Sequence, residues 1–128
     1  MTPNADNFRL SLGQRGEMFA WAYLMRQGYK LLEKNYRTKI GEIDVIAQKK
    51  GRIAFIEIKT RTAGSRFGLP EEAVHAIKQK KLIRLAQWYL KQKKCYDTSV
   101  SFDVLALTWH EEGQPEIRLI ENAFTADD

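Results

Sequence analysis

Residues 41–61 read GEIDVIAQKKGRIAFIEIKTR. Aliphatic and aromatic residues alternate with polar ones on both sides of Lys49-Lys50-Gly51-Arg52, so the stretch predicts two strands, 41–48 and 52–61, joined as an antiparallel hairpin. Directly opposed residues in such a hairpin have a constant index sum, and their side chains share a face. A sum of 101 sets Ile43 against Ile58, Val45 against Ile56 and Ala47 against Ala54, which makes one face wholly apolar. On the other face it sets Asp44 against Glu57, Glu42 against Lys59 and Ile46 against Phe55. An even sum would place Asp44 opposite a buried isoleucine, so the hydrophobic pattern selects an odd one, and sums of 99 or 103 still keep Asp44, Glu57 and Lys59 on one side.

Two carboxylates opposed across a ladder repel, and they cost stability unless a cation stands between them. Oxygen donors of this kind suit Mg²⁺ or Mn²⁺. Lys59 points the same way as Glu57 and brings a positive charge to the same place. The competing reading is an ordinary half-exposed strand in which alternating Glu and Lys serve solubility and cross-strand pairing; an acidic pair that faces itself weighs against it.

Outward from the hairpin, KLLEKNYRT (30–38) predicts a preceding strand. SLGQRGEMFAWAYLMRQGY predicts a helix over 12–27, with Ser11 and Gln14 as a capping box and Gly28 as the stop. Its apolar side contains Met18, Phe19, Trp21, Ala22, Leu24 and Met25, and Glu17 projects from the border or interior of that side. TAGSRFGL (62–69) has loop composition, and Pro70-Glu71-Glu72 opens a long helix that ends in basic residues at Lys94. VSFDVLALTW (100–109) alternates as a strand, and EIRLIEN (116–122) adds a short edge strand. Helix, three strands, helix and further strand make an α/β chain with helices covering a mixed central sheet, in one domain over 1–128 with an ordered core at about 8–122.

The 128 residues are 44% hydrophobic and 29% charged, which fits one folded domain and excludes a wholly disordered chain. No apolar run is long enough to cross a bilayer, and MTPNADNFR has no signal-peptide pattern, so the expected location is cytoplasmic, without a membrane partner. Cys95 is the single cysteine, which excludes an intrachain disulfide and a cysteine zinc cluster. Charge is uneven: residues 59–94 hold ten basic and two acidic side chains, a local +8 in a chain of net +5. Such a block is either a solvated helix face or a surface for a polyanion, with nucleic acid the foremost candidate.

Asp44, then Glu57-Ile58-Lys59 after twelve intervening residues, resembles the D…(D/E)xK signature of the restriction-endonuclease-like, or PD-(D/E)xK, nuclease superfamily. The fuller set, GEMFAWAYLMRQGY, NYRTKIGEIDVIA, FIEIKTR and FGLPEEAV, is similar to the YraN-like family of small bacterial proteins and spans nearly the whole chain. Ile43 replaces the proline that often precedes the aspartate. The resemblance implies a restriction-endonuclease-like α-β-β-β-α-β core and archaeal Holliday-junction resolvases as structural relatives, in which a helix glutamate, here Glu17, joins the strand carboxylates.

The expectation that follows is a metal-dependent endonuclease hydrolysing DNA phosphodiesters, branched and repair or recombination intermediates among them. Asp44 and Glu57 would hold one or two Mg²⁺ or Mn²⁺, Glu17 would complete the shell directly or through water, and Lys59 would orient the attacking water. Lys78 interrupts the inner stripe of the long helix and either reaches the phosphate or snorkels past the core. Arg61, Arg66 and Lys81 are candidates for the nucleic-acid backbone, with plain surface roles as the alternative. Symmetric cutting of a junction would require a homodimer. Asp103 is either a support behind the site or a hydrogen bonder at a strand end, and Trp21, Trp88, Tyr89 and Trp109 have core-like spacing. The rival functions are a non-catalytic nucleic-acid-binding module with the nuclease fold, and an interaction protein whose basic helix meets an acidic partner.

Overall fold

The structure, a computed structural model, describes residues 11–64, 76–111 and 113–126. The elements run α1 (Leu12–Arg26), β1 (Lys30–Thr38), β2 (Gly41–Lys49), β3 (Arg52–Thr62), α2 (Ala76–Gln92), β4 (Ser99–Trp109) and β5 (Glu116–Phe124). The five strands lie side by side in chain order. Neighbours are antiparallel except β3 and β4, which run parallel with α2 in their connection. A parallel pair needs a long crossover, and α2 supplies it. This is the expected α-β-β-β-α-β order around a mixed sheet; the proposed start of the long helix at Pro70 lies outside the described residues.

α1 begins as its sequence dictates. Ser11 Oγ accepts the Gln14 amide at 3.1 Å, Gln14 Oε1 accepts the Ser11 amide at 2.9 Å, and Gly28 takes φ +94° after the last turn. The buried stripe, however, is Gly16, Ala20 and Leu24, while Met18 and Met25 face outward. The helix meets the sheet through its smallest residues: a Cβ at position 16 would stand 2.7 Å from Thr60 Oγ1. Close approach of the backbone, rather than total apolar area, thus decides which side of α1 is inside.

Each face of the sheet has its own core. On the α2 side Ile43, Ile46, Phe55, Phe102, Val104 and Phe124 pack with Leu82, Leu85, Ala86 and Tyr89 of the helix. On the α1 side Val45, Ala47, Ala54, Ile56, Leu105 and Leu107 pack with Ala20 and Leu24. β3 and β4 are covered on both faces, which accounts for their nearly continuous apolar runs.

The hairpin register follows the sum of 101 through Lys49–Arg52, Gln48–Ile53, Ala47–Ala54, Ile46–Phe55 and Val45–Ile56. There the paired ladder ends. Ile43 joins the α2-side core and Ile58 the α1-side core, so the expected pairs Ile43–Ile58 and Glu42–Lys59 do not form. Glu42 instead bonds Arg37 on β1, Nε to Oε2 at 3.0 Å. The physical reason is visible at Asp44: its Oδ2 accepts the Ile58 amide at 2.8 Å, taking a donor that a continued ladder would give to the β2 backbone. None of the described helices is long and apolar enough to cross a membrane.

Candidate active site where the hairpin opens

The opening of the β2–β3 ladder gathers four charged side chains. Alternation along β3 turns Glu57 and Lys59 to the α2 side of the sheet, and Lys78 comes down from the first turns of α2. Glu57 is 6% exposed, one of three buried polar or charged residues among those described. Its Oε1 accepts a hydrogen bond from Lys78 Nζ and lies 3.5 Å from Lys59 Nζ. The half-buried Asp44 carboxyl stands within hydrogen-bonding reach of Glu57.

The electrostatics follow from this crowding. Burial, then the charge of Glu57, pushes the Asp44 carboxyl up to about 7, against the opposing bond from the Ile58 amide. Near neutrality Asp44 is therefore part-protonated and able to donate to Glu57. Burial and the adjacent Lys78 ammonium lower the Lys59 amine below its ordinary value. Burial works against the charge of Lys78 as well, but its bonds to Glu57 outweigh that and raise it. Lys78 is thus the firm cation of the group, and Lys59 the one whose charge is more easily surrendered.

The other expected residues are spread around this centre. Lys81 lays its methylene stem over Gly41 at the start of β2, where a Cβ would meet its Cδ at 3.0 Å. Arg61 is half-buried on β3 opposite Thr108. Glu17 is half-buried on α1 beside Gly16, the residue that rests on Thr60. Among the described residues no three His, Cys, Asp or Glu side chains gather as a group that could hold a metal, so Glu17 forms no such trio with Asp44 and Glu57. Arg66 lies outside the described residues.

One reading left open by the sequence is decided, and one expectation is corrected in part. Asp103 is 1% exposed and accepts from the Asn122 amide at 3.0 Å and the Ser101 hydroxyl at 3.2 Å, with Asn122 at φ +53° beside the irregularity in the β4–β5 ladder. It is a hydrogen bonder that satisfies a bulge, and burial raises its carboxyl above the ordinary range. Trp109 is buried edge-on to Phe19 and Tyr89 is buried, but Trp88 is 52% exposed, contrary to the core role its spacing suggests.

What the arrangement offers chemically is a pair of hard oxygen donors facing one another, with two ammonium groups at their side. Two carboxylates are a sufficient protein contribution for Mg²⁺, which keeps several waters and takes further oxygens from a phosphate. The raised Asp44 value comes from burial first and from the facing Glu57 carboxylate second, and a carboxyl perturbed in this way is a candidate for a functional group.

The family model for the "Uncharacterised protein family UPF0102" matches residues 16–107, which include Glu17, Asp44, Glu57, Lys59, Lys78 and Lys81. The chain is similar to a UPF0102 protein of Syntrophotalea carbinolica, 43% identical over 119 residues that cover 93% of this chain and 95% of the relative. It is also similar to one of Alkaliphilus metalliredigens, 46% identical over 114 residues covering 89% and 97%, and to one of Thermodesulfovibrio yellowstonii, 45% identical over 116 residues covering 91% and 97%. A match over nearly the full length of both partners bears out the YraN-like resemblance: the chain belongs to the UPF0102 family.

Proposed function

We propose that this protein is a metal-dependent nuclease of the restriction-endonuclease-like superfamily that hydrolyses phosphodiesters in DNA. The observation that carries the reading is the close approach of Asp44 and Glu57 at the point where the β2–β3 ladder opens, with Lys59 Nζ 3.5 Å from Glu57 Oε1. Asp44 and Glu57 would hold Mg²⁺ or Mn²⁺, the remaining positions being filled by water and phosphate oxygens. The ion would supply a bound water of lowered pKa and polarisation of the phosphoryl oxygen.

The chain's own residues do the rest. The Ile58 amide fixes Asp44 Oδ2 and so holds the carboxyl beside Glu57. Lys59 orients water by its ammonium and stabilises charge developing on the phosphate, and Lys78 offsets the charge of Glu57 until a substrate or cation takes over that role. Arg61 and Lys81 and, by its place in the sequence, Arg66 would contact the DNA backbone. No side-chain nucleophile is needed. Because metal binding requires an ionised Asp44, apparent metal affinity should rise with pH up to about 7.

One observation favours a second reading, a nucleic-acid-binding module with a closed acidic site: Lys78 already occupies the Glu57 oxygen that a metal would use. The two readings separate in one experiment, cleavage of labelled linear, flapped, four-way-junction and single-stranded DNA with Mg²⁺ or Mn²⁺. The parent should cut, while Lys59→Ala and Asp44→Asn should each lose about 100-fold or more. A parent that binds DNA in a salt-sensitive way and cuts none of these substrates would establish the binding module instead.

A further inference from the structure

Resting on the nucleic-acid reading above, we infer that the groove between α2 and the β1–β2 turn is a seat for an unpaired strand, so that the preferred substrate carries single-stranded nucleotides next to the scissile bond. The groove encloses about 840 Å³, with the end of β1 and residues 38–40 on one side and α2 from Arg84 to Gln92 on the other. Its charged lining is entirely basic: Arg37, Lys39, Arg84 and Lys91. Arg37 also bonds Glu42 but remains exposed. Between these charges stand Trp88 and Ile40, 52% and 44% exposed.

That combination selects among polyanions. A duplex presents phosphates outward and hides the faces of its bases, so it would leave Trp88 and Ile40 against water. An unpaired strand offers both phosphates for the four cations and a base face for the indole. Trp88 is the only tryptophan among those described that is free to stack in this way; Trp109 is buried and Trp21 lies under Lys34 Nζ, 4.5 Å from its centroid. The groove lies further along the same helix that brings Lys78 to the proposed active site. Along α2, Lys78 touches Glu57, Lys81 covers Gly41, and Trp88 follows ten residues after Lys78, about 15 Å along the helix axis. That span corresponds to about four stacked nucleotides at roughly 3.4 Å each.

The test is fluorescence anisotropy in EDTA, where no metal-dependent cleavage occurs, with labelled oligothymidine and a hairpin duplex of equal charge. The proteins compared are the parent, Trp88→Ala, Trp88→Phe and the double variant Arg84→Gln with Lys91→Gln. Trp88→Ala should weaken single-strand binding by about 5- to 100-fold and leave duplex binding within about 2-fold, while Trp88→Phe, which keeps a ring, recovers most of the loss. The double charge variant should flatten the salt dependence of single-strand binding. Unchanged single-strand affinity in Trp88→Ala, or an equal loss on duplex, overturns the groove assignment. Because binding is read without metal, failure of the groove is distinct from failure of the nuclease reading, which a lack of cutting by the parent in Mg²⁺ would reveal.

Discussion

Replacing Asp44 by asparagine should stabilise the fold, and by more as pH rises. In the folded chain the Asp44 carboxyl sits at about 7 rather than its ordinary 3.8, so ionising it is harder in the native state than in the unfolded one. A raised carboxyl pKa reverses the usual sign: the group leaves stability untouched below about pH 4, removes it progressively as pH climbs towards 7, and removes no more beyond that. The full difference is worth about 4 kcal/mol. Water reaching a half-buried carboxyl screens part of it, and about 2 kcal/mol is the expected size. Asparagine cannot ionise and keeps an oxygen for the Ile58 amide, so Asp44→Asn escapes the penalty. Thermal unfolding in EDTA should give nearly equal Tm values at about pH 4 and a variant about 8 °C more stable at about pH 8. Mg²⁺ should then raise the parent's Tm and hardly move the variant's, since a ligand at 100 times its Kd adds about 2.7 kcal/mol to the form that binds it. A Tm difference that is independent of pH would refute the carboxylate-crowding argument, and equal Mg²⁺ responses would remove Asp44 from the metal site.

Lys78→Met deprives the buried Glu57 of its nearest cation while leaving Lys59 at 3.5 Å; partial exposure of Lys78 limits the expected loss to about 1 to 2 kcal/mol by urea denaturation, and no loss would show that the pair does not form in solution. Gly16→Ala drives a methyl to 2.7 Å from Thr60 Oγ1 and should destabilise by about 1 kcal/mol net of the gain in helix propensity. The same change in a Thr60→Ala background should be neutral or stabilising, so a double-mutant cycle without coupling would show that α1 does not approach β3 at this point.

The element order, the strand bounds near 30–38, 41–49 and 52–62, and the capping box of α1 were legible in the sequence because each is set by neighbours within a few residues. Hairpin register was legible for the same reason, since only an odd index sum sets Val45 and Ala47 opposite Ile56 and Ala54 on one face. Alternation likewise grouped Asp44, Glu57 and Lys59, and a lysine interrupting an apolar helix stripe singled out Lys78.

The remainder depended on contacts between residues distant in sequence. Where the ladder stops could not be read from the hairpin, because it turns on Asp44 Oδ2 capturing the Ile58 amide while Ile43 leaves for the core under α2. Lys78 had two destinations open to it, and the crossover of α2 between parallel strands brought it to Glu57. Trp88 has core spacing along its helix, but the stripe Leu82, Leu85, Ala86 and Tyr89 already fills the sheet-facing side, which leaves the indole outside over the groove. Local sequence thus determined which charged groups share a strand face. Tertiary packing decided which of them meet, because a carboxyl pushed up to about 7 arises only when burial and a second carboxylate act on it together.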